Sequence, residues 1–69
     1  MKVTINGKQE DIASGLSISG LLAEKKVQMP EMVSVERNGE ILSRDTFATT
    51  MVTENDTIEF LYFMGGGTW

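Results

Sequence analysis

Few residues in this chain could carry chemistry, and their types exclude more than they permit. The last seven residues are Phe63-Met64-Gly65-Gly66-Gly67-Thr68-Trp69, so a run of three glycines stands two residues from the end. Glycine has no Cβ and adds nothing to a core, which suits a tail that threads into a partner's active site. An ordinary frayed terminus is the plain alternative. The unbranched carbon beside a glycine carbonyl leaves that carbonyl open to attack, and three extended residues reach about 10 Å beyond a folded body. Gly65, Gly66 and Gly67 are therefore the candidate threading residues, and the reacting group would be a glycine carboxyl. In that role the protein is a co-substrate and not a catalyst.

Little else competes. The sequence contains no cysteine and no histidine. That removes the thiolate nucleophile, the commonest general base and the commonest metal ligand. No serine has an identifiable base partner, so hydrolase chemistry has little support. Glu10-Asp11 and Glu54-Asn55-Asp56 gather carboxylates, but a hard cation wants roughly six or more converging oxygens, and these read as solvated turn charges. Gly15 and Gly20 have the spacing of a phosphate loop, yet Leu21-Leu22 stand where Lys and Ser/Thr would be needed. The triple glycine is followed by no helix whose N-terminus could hold a phosphate. No metal site is expected.

Ten acidic against six basic residues give a net charge of -4, which disfavours nucleic acid as a partner. The first residues lack an apolar signal core, and no run approaches the ~20 apolar residues of a membrane span. A soluble cytoplasmic protein is expected, with no membrane partner.

The elements that must position the tail come from a single small domain, because 69 residues bury only about 60% of their unfolded surface. Val3 and Ile5 alternate with Lys2, Thr4 and Asn6, the pattern of a half-buried strand. Asn6-Gly7 is a hairpin turn, and Lys8 to Ile12 return as an edge strand with Ile5 facing Lys8 and Val3 facing Glu10. Ser17 caps a helix that buries Ile18, Leu21 and Leu22, carries Lys25 and Lys26 at its end and stops near Val27. Gly20 costs that helix about 1 kcal/mol relative to alanine. Val33 and Val35 mark a third strand, Asn38-Gly39 a second hairpin, and Glu40 to Leu42 a short return. From Ser43 to Val52 the pattern is least legible: Asp45 could cap a helical turn holding Phe47 and Met51, and a short 3₁₀ or α turn in a loop is expected.

Thr57 to Met64 reads as the last strand. Ile58, Phe60, Tyr62 and Met64 form one face, and Glu59, Leu61 and Phe63 the other. One helix cannot cover both faces of a sheet, so Leu61 and Phe63 are candidate docking residues in an exposed apolar patch. Alternatively, the Ser43 to Val52 segment folds over them. The element order is that of a β-grasp: an α+β roll with a mixed sheet of four to five strands and one helix on one face. The last strand should lie parallel to the first in the sheet centre, making residues 1–64 the domain and 65–69 a flexible tail.

Three pieces, Val35-Glu36-Arg37-Asn38-Gly39-Glu40-Ile41, Asn55-Asp56-Thr57-Ile58-Glu59 and Phe63-Met64-Gly65-Gly66-Gly67, resemble the ThiS-type sulfur carriers of thiamin thiazole synthesis. The similarity spans nearly the whole chain up to Gly67. It implies a ubiquitin-like β-grasp and a defined cycle. An E1-like, ThiF-like adenylyltransferase would use ATP to adenylate the terminal glycine carboxylate, at Gly67 or, as second choice, Gly66. Sulfur from a cysteine desulfurase relay would displace AMP to give a thiocarboxylate, which would pass sulfur to a ThiG-like thiazole synthase or another acceptor enzyme. The ATP and any metal would belong to the activating enzyme, so the carrier would have no cofactor of its own, and it would be a monomer when free.

Thr68 and Trp69 depart from that pattern, because they lock the Gly67 carboxyl in a peptide bond. One reading is a precursor trimmed by a processing peptidase, as in related carriers that serve cysteine or homocysteine synthesis. A harmless extension removed by nonspecific proteolysis is another. A ubiquitin-like modifier joined to lysines, and a non-covalent β-grasp binding module, remain the readings from other classes.

Overall fold

The computed structural model describes residues 1–28 and 30–62. Five strands form one mixed sheet: β1 (Lys2–Ile5), β2 (Lys8–Asp11), β3 (Val33–Arg37), β4 (Glu40–Ile41) and β5 (Thr57–Tyr62), in the order β2-β1-β5-β3-β4. The helix α1 (Ile18–Glu24) and the 3₁₀ turns Pro30–Met32 and Arg44–Thr46 complete the described elements. β5 pairs parallel with β1 and antiparallel with β3. The last strand in sequence therefore occupies the middle of the sheet, as the pattern predicts.

Both hairpins close through left-handed asparagines followed by glycine, with φ of 51° and 83° at Asn6-Gly7 and 52° and 88° at Asn38-Gly39. This matches the right-handed twist of the flanking strands and fixes the register, with Ile5 opposite Lys8 and Val3 opposite Glu10. The charged edge strand is also as expected. Glu10 forms an ion pair with Lys25 just beyond α1, so an edge carboxylate on the helix side of the sheet is neutralised by the helix end.

Ser17 caps α1 by accepting a hydrogen bond from the Gly20 amide at 3.1 Å. Ile18, Leu21 and Leu22 are buried. The helix ends earlier than the apolar spacing suggests. Lys26 adopts φ of 55°, its amide bonds Ala23 O at 3.1 Å, and the Val27 amide bonds Leu22 O at 3.0 Å. These are the paired bonds of a Schellman motif, so Val27 packs on the core as the residue after the helix, not within it.

The core joins Val3, Ile5, Val33, Val35, Ile58 and Phe60 from the sheet to the three helix residues and to Phe47 and Val52. The Ser43 to Val52 stretch contains the expected 3₁₀ turn, but Ser43 and not Asp45 precedes it. Phe47 is buried, whereas Met51 is 46% exposed. The segment is stitched to the helix start through Ile18 N to Thr50 O, Ser19 N to Phe47 O and Val52 N to Leu16 O, at 2.9, 3.0 and 2.9 Å. It therefore closes the helix side of the core.

Candidate functional site

β5 is the strand that leads toward the glycines, and the structure fixes it at its start and its middle. At its start, Asp56 is 4% exposed. Its carboxylate accepts hydrogen bonds from Arg37 Nε at 2.9 Å, Asn38 Nδ2 at 3.0 Å, Thr53 N at 2.8 Å and Thr53 Oγ1 at 3.0 Å. Burial alone would raise the carboxyl pKa, but the bonds from the Thr53 amide, Asn38, Arg37 and the Thr53 hydroxyl outweigh it and hold the group below its ordinary value. The sequence reading of Asp56 as a solvated turn charge is thus corrected. Hydrophobic periodicity carries no sign of such an acid; the available signal was an Asp within reach of an Arg-Asn pair on the neighbouring strand, which only the register supplies.

The two turn asparagines do more than close hairpins. Asn38 Oδ1 accepts from the Thr57 amide at 2.8 Å, and Asn6 Oδ1 accepts from the Phe60 amide at 2.9 Å. β1 ends at Ile5, so the Phe60 amide lies past its last backbone partner, and the asparagine side chain takes the place of the missing strand. One turn thus anchors the first residue of β5 and the other its middle.

On the face away from α1, Leu61 pairs with Ser34 and is half-buried. Ile58 and Phe60 point into the core, as the alternation predicts for those two residues. Phe63, Met64, Gly65, Gly66, Gly67, Thr68 and Trp69 lie outside the described residues, and with them the expected docking partner of Leu61, the threading glycines, the reacting carboxyl and the extension. Among the described residues no group of three or more His, Cys, Asp or Glu could hold a metal ion. No helix among them is long and apolar enough to cross a membrane.

A sequence model of the ThiS family matches residues 3–67, from the first buried strand residue to the third glycine. This chain belongs to the ThiS family. A crystal structure of the thiamine biosynthesis protein (ThiS) from Geobacter metallireducens is 48% identical, with a TM-score of 0.88, over 97% of this chain and 100% of that one. An NMR solution structure of a thiamine biosynthesis protein from the same organism is 45% identical, with a TM-score of 0.78, over 100% of this chain and 91% of that one. The ThiS β-grasp is thus the fold of this chain. Two proteins named thiazole synthase, from Magnetococcus marinus and Paramagnetospirillum magneticum, are 39% and 36% identical over 67 residues. The chain spans 20% of the length of each.

Proposed function

We propose that this ThiS-family chain is a protein sulfur carrier for thiazole formation in thiamin biosynthesis, with the Gly67 carboxyl as its reacting group and Gly66 as the alternative. The observation that carries this reading is that the family match runs to Gly67. The thiazole synthase relatives add to it: a segment similar to this chain is part of the same polypeptide as a protein of that name. Two proteins that must pass a group between them gain from such tethering, because the encounter becomes intramolecular.

In this reading an E1-like enzyme adenylates the carboxyl with ATP. Sulfur from a desulfurase relay then displaces AMP, and the thiocarboxylate passes its sulfur to the thiazole synthase. The body of residues 1–64 docks outside the partner, with Leu61 and Phe63 at the contact, while Gly65, Gly66 and Gly67 thread inward as part of a tail formed by 65–69. The chain supplies a substrate and performs no catalysis, and it is placed in the cytoplasm with its enzymes.

Gly67 is joined to Thr68, so its carboxyl becomes available only after a peptidase removes Thr68 and Trp69. Those two residues lie beyond the family match. They favour a second reading, a carrier for cysteine or homocysteine synthesis that is activated by trimming. Intact-mass measurement after incubation with cell extract, ATP and cysteine tests both. Loss of the Thr-Trp dipeptide followed by replacement of one oxygen by sulfur is required, and an unchanged mass rejects sulfur carriage. Transfer of sulfur from labelled cysteine to a thiazole product or to a sulfhydrylase product separates the two pathways.

A further inference from the structure

Beside β5, on the helix side, a groove of about 660 Å³ is lined by Lys8, Lys25, Lys26, Glu10 and Phe60 among others. Three lysines face one glutamate there, in a chain whose net charge is -4. Arg37 is held by Asp56, Lys25 by Glu10, and Arg44 donates to the Pro30 and Val33 carbonyls. Among the described residues, Lys8 and Lys26 have no carboxylate partner. Lys2, which also lacks one, begins β1 at the other end of the strand from Asn6. Glu24 and Glu31 are exposed and do not line the groove.

The backbone at Lys26 adds a second observation. Its φ of 55° places a side chain in the left-handed region that a Schellman ending normally gives to glycine. Phe60 lies two residues before the last described residue of β5, so the groove flanks the strand that leads to Gly67.

We propose that this groove is a second docking site, on the opposite face of β5 from Leu61, for an acidic surface of the enzyme that activates the tail, with Lys8 and Lys26 meeting carboxylates around the mouth of its active site. The proposal rests on the sulfur-carrier reading. Electrostatic contacts of this kind orient the encounter and raise the association rate, and they weaken with salt. The same two lysines would have no such role if Lys8 only guarded the sheet edge.

The test uses the chain with its Gly67 carboxyl freed and follows ATP-dependent adenylation by the E1-like enzyme, with thermal unfolding measured in parallel. For Lys8→Glu/Lys26→Glu, KM should rise about tenfold at low salt with kcat unchanged, and the difference should shrink at high salt. Lys26→Gly should raise Tm by about 4 °C while raising KM roughly twofold. A purely structural lysine would not move stability and KM in these opposed directions. Unchanged KM in both variants, or a rise that persists at high salt, overturns the groove as a docking site while leaving sulfur carriage intact. A wild-type chain that is not adenylated overturns the functional reading, and this inference with it. If the charge-reversal variant does not fold, Lys26→Gly alone decides.

Discussion

Asp56 accepts a hydrogen bond from Arg37 Nε at 2.9 Å, with the aspartate side chain 5% and the arginine 28% exposed. The pair ties the start of β5 to the end of β3, and Asn38 and Thr53 close the remaining lone pairs of the carboxylate. A charge so enclosed contributes only while its donors stay in place.

Asp56→Asn should therefore lower stability at pH 7 by about 2 kcal/mol, because an amide nitrogen would then face donors that need an acceptor. That corresponds to a fall in Tm of about 10 °C in a domain of this size. The acid response follows from the depressed pKa. The folded pKa lies below the unfolded one, so the contribution is complete above the unfolded value of about 3.9 and is lost as pH falls through the folded value. Thermal unfolding across this range should show a decline below about pH 4 that is reduced in Asp56→Asn.

Asn6→Gly keeps the left-handed turn but removes the acceptor for the Phe60 amide. The cost should be about 1 kcal/mol. Hydrogen exchange at the Phe60 amide should accelerate more than at Leu21, which is bonded within the helix start at 2.8 Å. Equal acceleration at both amides would mean that the turn, not the side-chain bond, was lost.

Gly20→Ala sets helix propensity against space. A Cβ there meets Leu16 Cδ2 at 3.3 Å and Ser17 Oγ at 3.5 Å. The closer contact is the far end of a flexible side chain, so a net gain of about 0.5 kcal/mol is expected from the propensity difference of about 1 kcal/mol. A lower denaturation midpoint would show that Leu16 cannot move aside.

Leu61→Asp should leave the domain folded, with a change within about 1 kcal/mol, because the side chain lies on the face away from α1. Adenylation of the freed tail should nevertheless require more carrier, read as a higher KM. Loss of cooperative unfolding in this variant would contradict the face assignment. Phe63→Asp belongs to the same experiment and should weaken docking in the same direction.

The sheet was largely readable before the structure because its instructions are local. Asn6-Gly7 and Asn38-Gly39 announce two hairpins, and the alternation through Val3, Ile5, Val33, Val35, Ile58 and Phe60 assigns the core face. The helix end was misplaced because Lys26 occupies a conformation that its side chain does not advertise. Asp56 was missed for a different reason: its partners Arg37 and Asn38 are 19 and 18 residues away, and such an acid looks in sequence like any charge in a turn. Phe47 was recognised as apolar, but its destination on the helix side depends on backbone bonds from residues 18 and 19 that no periodicity encodes. At the tail, glycine composition and family membership carry the argument, since the described residues stop at Tyr62.

The central place of β5 also sets an order of events. β1 pairs with a strand that begins more than fifty residues later, Thr4 with Thr57, and β3 also depends on it for its longest pairing. During synthesis the β1 and β3 hairpins can form early, but neither can be joined to the other until β5 has left the ribosome. Long-range parallel pairing of this sort is slow to form and cannot be replaced by local structure. A nascent chain interrupted before Thr57 is left with two unsupported hairpins and exposed strand edges, a substrate for proteases. Completion of the fold thus reports that translation has already passed the strand on which the proposed chemistry depends.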